Sequence, residues 1–219
     1  MLLKKKDFIE IEFTGRTKDG KIFDSNIQED LKKANLNIEP RPFIFCLGEG
    51  MFLKGVEDSL IKKEIGKYKI ELPPEKAFGK RDAKMIQMIP MKVFREHQIN
   101  PIKGTIFNFD GRLGKILTVS GGRVIVDFNN PVAGKDVVYD VNVLRKLDKR
   151  DEKIKALIEF FFRKDFKFRV KEKKLILDVD KEFKQFAGLF GDKFKDIFNL
   201  ELEVHEVEER EKKEISEPK

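Results

Sequence analysis

The feature that most constrains the fold is the run from residue 43 to residue 79. It reads as strand, loop, short helix, strand and turn. Phe43-Ile44-Phe45-Cys46-Leu47 is apolar, and Gly48 and Gly50 let the backbone reverse where a side chain would clash. Leu53, Val56 and Leu60 recur at helical spacing with Ile61 and Ile65 beside them, which predicts one buried stripe. Gly66 stands where that helix should stop. Tyr68, Ile70 and Leu72 alternate as a half-buried strand does, and Pro73-Pro74 ends it because neither residue can donate to a ladder. The result is a short helix against a sheet, with aromatic and aliphatic groups converging on one hollow.

The upstream segment supplies the other wall. Ile9, Ile11 and Phe13 alternate with Glu10 and Glu12, so one face is dry and the other wet. Lys18-Asp19-Gly20 is a hairpin turn signal, followed by Ile22-Phe23-Asp24-Ser25. Phe13-Thr14-Gly15, Asp19-Gly20-Lys21-Ile22-Phe23-Asp24-Ser25, Phe43-Ile44-Phe45-Cys46-Leu47-Gly48, Lys54-Gly55-Val56-Glu57 and Ala77-Phe78-Gly79 follow one another in order. Together they resemble the successive signatures of the FKBP-type peptidyl-prolyl isomerases, over roughly the first two-thirds of the chain.

After Gly79 the composition changes. Residues 80–84 form a charged hinge, and residues 85–131 read as a small β-rich unit, with a hairpin of Leu117-Thr118-Val119 and residues 124–128 about a Gly121-Gly122 turn. Residues 137–144 form a strong strand that resembles the last strand of the FKBP core. The return at Asn129-Asn130-Pro131-Val132-Ala133-Gly134-Lys135 is similar to the SlyD-like branch, which carries a chaperone insert in the flap of the isomerase domain. The resemblance, to the long archaeal type, implies an α+β chain. An FKBP-like antiparallel sheet wraps on a short helix, with an inserted small β-rich domain and a C-terminal α+β domain. The expected domains are 1–84 with 132–149 (isomerase), 85–131 (insert) and 150–219.

Residues 26–41 are polar and charged, fitting either a helical turn over 27–35 or a solvated loop. Ile154, Leu157, Ile158, Phe161 and Phe162 predict an amphipathic helix. Two strands, a helical stretch interrupted by Gly188 and Gly191, and a last strand through Leu200, Leu202 and Val204 follow. The charged tail from Glu206 is expected to fray. The Phe stripes of this third segment fit a core or a homodimer interface, with a client-binding surface as the alternative.

Composition narrows the function. Charged residues make up 39%, with Lys and Glu prominent and Gln scarce, which suggests a heat-adapted source. The net charge of +7 is spread along the chain with signs mixed, so no nucleic-acid surface is expected. No apolar run approaches membrane-spanning length, and the start lacks a secretory pattern. The one cysteine, Cys46, sits in an apolar strand and reads as a packing residue, consistent with the cytoplasm.

The chemistry suits such a hollow. An X-Pro amide isomerises slowly because its partial double bond must twist, over a barrier of ~18–20 kcal/mol. The twisted amide has lost resonance and is less polarised, so an apolar pocket that strips water favours it without nucleophile, cofactor or metal. The resemblance places Phe13, Phe23, Phe43, Phe52, Leu53, Val56, Phe78 and Tyr139 on pocket-lining positions, Asp24 on the pocket carboxylate, and the Leu53 N–H where a substrate carbonyl is anchored. Asp24, Leu53, Phe78 and Tyr139 are the expected catalytic set. Val56 stands where many FKBPs carry Trp, which predicts a more open floor. Phe78 replaces a frequent Tyr and removes a hydroxyl donor. Packing alone would also explain Phe13, Phe43 and Val56, and a turn would explain Asp24. In the insert, Met85, Met88, Ile89, Met91 and Phe94 are candidates to hold unfolded chain near the pocket, or else to fill a small core. His97 and His205 are isolated, and the tail lacks the His and Cys of the bacterial metal tails, so no metal is expected. The implied activity is peptidyl-prolyl isomerisation with chaperone function on proline-containing unfolded polypeptides; the rival is a holdase on the same scaffold.

Overall fold

The computed structural model describes residues 2–207. In chain order the first part runs β1 (Phe8–Thr17), β2 (Ile22–Ser25), α1 (Gln28–Lys33), β3 (Phe43–Cys46), α2 (Lys54–Leu60) and β4 (Gly66–Leu72). Then come β5 (Ile86–Pro90), α3 (Met91–Glu96), β6 (Ile106–Phe109), β7 (Arg112–Ser120), β8 (Arg123–Asp127) and β9 (Val137–Lys146). The last part is α4 (Arg150–Phe162), β10 (Lys167–Lys171), β11 (Lys174–Val179), α5 (Lys184–Gly188), α6 (Gly191–Phe198) and β12 (Glu201–Glu206).

The main sheet is antiparallel, in the order β2-β1-β9-β4. β1 is long enough to serve two partners on one edge. Phe8 to Ile11 pair with β3, and Thr14 to Arg16 pair with β2. The alternation in β1 buries Ile9, Ile11 and Phe13. α2 lies against this sheet through Val56 and Leu60, both fully buried. The helix ends earlier than its periodicity suggests. Ile65 is half exposed beyond it, and Gly66, at φ 151°, opens β4 rather than closing the helix. α1 resolves the 26–41 segment as a short helix pinned by the buried Leu31.

Gly55 is glycine because α2 presses on the turn after β4. An added Cβ would collide with the Lys76 carbonyl oxygen and stand 2.9 Å from Leu72 Cδ2. The obstacle includes backbone, which cannot swing aside. Gly55→Ala is therefore expected to cost about 1–3 kcal/mol. Urea unfolding checks this: the midpoint should fall with little change in slope.

β5–β8 form a second antiparallel sheet, in the order β5-β8-β7-β6, with its own core of Phe94, Ile116, Val124 and Val126. The segments entering and leaving it are tied together. The Gly134 N–H donates to the Gly79 carbonyl at 2.8 Å, Arg81 pairs with Asp127, and the Asn129 amide brackets the Asp82 backbone.

The third sheet, β10-β11-β12, pairs β11 with β12 in parallel through the crossover carrying α5 and α6. The predicted break at the glycines is the boundary between those two helices. Most of the Phe stripe is core. Phe162, Phe166 and Phe194 are buried, while Phe186 and Leu189 are exposed. This core is continuous with that of the main sheet. Phe8 stacks on Phe198 at 5.6 Å, Phe160 approaches Phe43 at 6.5 Å, and Lys193 pairs with Glu49. Glu206 closes β12; the rest of the tail expected to fray, residues 208–219, lies outside the described residues.

Candidate active site

The strand register builds the site. Gly15 of β1 pairs with Asp24 on one side and with Tyr139 of β9 on the other, and Tyr139 pairs on to Ile70. Cross-strand partners share a face. Gly15 contributes no side chain to that row, so Asp24 and Tyr139 meet over it. The Tyr139 hydroxyl donates to the Asp24 carboxylate. A Cβ on Gly15 would stand 2.9 Å from the Tyr139 ring and 3.0 Å from the Phe23 ring. Burial raises the Asp24 pKa above the ordinary carboxylate value, against the opposing bonds from the Ser25 N–H and Tyr139. Burial, reinforced by the Asp24 charge, likewise raises the Tyr139 phenol.

The aromatic residues expected to line the hollow form one cluster. Phe13 lies 4.8 Å from Phe52 and 6.2 Å from Tyr139. Phe52 meets Tyr139 edge-on at 5.6 Å, Phe23 meets Tyr139 at 5.8 Å, and Phe78 meets Phe23 at 5.5 Å. Phe43 contacts Phe13 and Phe52. These centroid distances fall in the range of favourable offset and edge-to-face pairs. Phe13, Val56 and Tyr139 are buried. Phe23, Asp24, Phe43, Phe52, Leu53 and Phe78 are only partly buried. The floor is closed where the missing Trp predicted an opening. Val56 has no exposed surface.

Leu53 is the N-cap of α2. Its carbonyl accepts from the N–H groups of Val56 and Glu57 at 2.8 and 3.0 Å. Its own N–H donates to no partner among the described residues. The loop that presents it is held by a residue to which the sequence reading gave no role. Glu57 is 2% exposed, and its carboxylate accepts from the backbone N–H groups of Gly48 (2.7 Å), Gly50 (3.3 Å) and Phe52 (2.6 Å). Its signals in the sequence are its place in the Lys54-Gly55-Val56-Glu57 block and its position as an acid in the first turn of α2. Gly15 likewise stood in the Phe13-Thr14-Gly15 block without a role, because its role depends on register.

The candidates in the insert separate. Met88 is 57% exposed. Ile89 and Met91 pack partly on the insert's core, and Met85 is partly buried. Phe94 is a correction: it is 2% exposed and fills that core, so it cannot receive another chain. The register instead places Ile86, Met88, Ile106, Leu113 and Ile125 on the opposite sheet face, and the first four are exposed.

Cys46 is buried, and desolvation pushes its thiol up to about 12, which leaves no reactive thiolate. Among the described residues no helix is long and apolar enough to cross a membrane. No group of three or more His, Cys, Asp or Glu residues among them is placed to hold a metal ion.

Residues 2–108 match the family model of FKBP-type peptidyl-prolyl cis-trans isomerases, and residues 87–132 match that of the FKBP26 IF domain. The chain is 33% identical to the short-type peptidyl-prolyl cis-trans isomerase of Methanocaldococcus jannaschii over 146 residues, 65% of this chain and 92% of the relative. It is 34% identical to the FKBP-type 16 kDa peptidyl-prolyl cis-trans isomerase of Escherichia coli over 110 residues, 48% of this chain and 73% of the relative. It is 29% identical to SlyD of Helicobacter pylori over 134 residues, 55% of this chain and 67% of the relative. With the Asp24–Gly15–Tyr139 row, the aromatic cluster around it and these matches together, the chain belongs to the FKBP-type peptidyl-prolyl cis-trans isomerases.

Proposed function

We propose that the hollow twists X-Pro amides while the exposed face of the insert holds the unfolded polypeptide that carries them. The observation that carries the first half is the aromatic cluster, with Asp24 and Tyr139 meeting over Gly15 beside it. A prolyl ring seated among Phe13, Phe23, Phe52 and Phe78 loses the water that favours the planar amide. The Leu53 N–H anchors a substrate carbonyl, and Asp24 with Tyr139 gives the wall its polar point. No covalent step is involved. Residues 1–84 with 132–149 form the isomerase unit, 85–131 the insert, and 150–219 the third unit.

The second half is supported by Ile86, Met88, Ile106 and Leu113, all exposed on one face of the insert's sheet. Exposed apolar patches of this kind mark binding surfaces. Tethered capture raises the local concentration of prolines at the hollow. The test is a proline-limited refolding reaction run beside isomerisation of a proline tetrapeptide. Wild type is expected to accelerate both. Met88→Ser with Leu113→Ser should lower the refolding rate roughly ten-fold more than the tetrapeptide rate. Equal loss on both substrates would remove the insert from the reading. Failure of the wild type on the tetrapeptide would remove the isomerase role of the hollow and leave a holdase.

A further inference from the structure

A groove of about 500 Å³ opens beside the hollow, within the size range of ligand sites. One wall is the segment before β3, with Ile38 and Pro42. The other is α4, with Ala156 and Phe160. Phe13 and Phe43 line the groove and also belong to the aromatic cluster of the hollow, so the two spaces adjoin. Phe160 reaches Phe43 at 6.5 Å, which sets α4 at the edge of that cluster.

The chemistry of the groove is specific. Its lining is mostly apolar, with Ser25 and Asn26 its uncharged polar residues, and Ile38 is 54% exposed. The rim carries Arg41 and Glu39 on one bank and Glu159 and Arg163 on the other. Arg41 pairs with Glu39 at 2.6 Å and also feels the Glu159 charge, which holds its guanidinium above its ordinary pKa. Arg163 lies 5.7 Å from the centre of the Phe160 ring. With Arg41 paired to Glu39 and an acid and a base also on the facing bank, the rim presents charges of both signs rather than a site for an anion or a nucleic-acid backbone. An apolar trough between such banks suits a neutral polypeptide segment with bulky side chains.

We infer that this groove is a second substrate subsite, in which α4 helps to hold the apolar residues flanking the proline that occupies the hollow. The inference rests on the isomerase reading of the hollow and adds to it a preference for sequence beyond the X-Pro pair. It also gives the C-terminal segment a part in substrate selection.

The test uses the full chain and two substrates sharing one X-Pro pair, a tetrapeptide and a peptide of about twelve residues with Leu and Phe on both flanks. Wild type should bind the longer peptide more tightly. In Ile38→Ser, at an exposed position, and in Phe160→Ala, the ratio of the two affinities should fall at least about five-fold. A nitroxide on the peptide flank should broaden the Ile38 methyl resonances in the wild type. No length preference in the wild type, an unaltered ratio in variants with native circular dichroism, or broadening confined to the insert's sheet would overturn the subsite. Failure of the parent reading would show separately, as wild type that binds peptides but does not accelerate tetrapeptide isomerisation.

Discussion

Glu57→Ala is expected to lower stability by roughly 2–4 kcal/mol and to cut kcat/KM by more than about ten-fold. The carboxylate is nearly inaccessible and takes three backbone N–H groups from the loop between β3 and α2. Gly48 and Gly50 are exposed enough to turn to water once it is gone, so the cost falls mainly on the Phe52 N–H and on the vacated volume. The loop then loses the anchor that sets Phe52 in the ring cluster and aims the Leu53 N–H. Glu57→Gln separates geometry from bulk. Oε2 serves Gly48 and Gly50 while Oε1 serves Phe52, so an amide must turn its NH₂ toward at least one donor. It should therefore be nearly as damaging as alanine. Thermal unfolding with tetrapeptide kinetics decides: a glutamine variant with native melting and native kcat/KM would show that the loop holds itself.

Asp24→Asn should separate activity from stability. The loss expected in kcat/KM is about ten-fold, equal to ~1.4 kcal/mol of transition-state stabilisation. The fold should not suffer and should gain at neutral pH. Burial raises the Asp24 pKa above 3.8, so the folded state holds this proton more tightly than the unfolded chain does. Below 3.8 the carboxyl is neutral in both states and carries no penalty. As pH rises through the raised folded value, the charge must be carried in a desolvated site, and stability is lost relative to an uncharged side chain. Asparagine keeps an oxygen for the Tyr139 hydroxyl and carries no charge. The difference in melting temperature between variant and wild type should thus be small near pH 3 and grow in the variant's favour toward neutral pH. A variant less stable at neutral pH than at acid pH, relative to wild type, would reverse the assigned cause.

Much of the main sheet was legible because its signal is local. Alternation in β1 and β9, the Lys18-Asp19-Gly20 turn and the helical spacing of Val56 and Leu60 each lie within one element. The rings of the hollow followed from the resemblance, since Phe13 and Tyr139 lie far apart in the chain. What stayed illegible depends on partners the sequence does not name. Gly15 matters through the residues facing it on two other strands. Glu57 matters because backbone N–H groups, identical at every position, happen to converge on it. Phe94 and Met88 both read as apolar insert residues, but only the register and the packing of α3 send one inward and the other out. The groove beside Phe43 could not be foreseen, because it forms only where α4 docks on β3.

β9 lies at the centre of the main sheet, yet it enters the chain only after the whole insert has been made. A nascent chain emerging from its exit tunnel therefore holds β1 and β4 with no strand between them, their facing edges unpaired. The insert, with a separate core closed by local pairings, is able to collapse first. In this chain the region proposed to shield unfinished polypeptides is thus available during its own synthesis, before the sheet that hosts it can close.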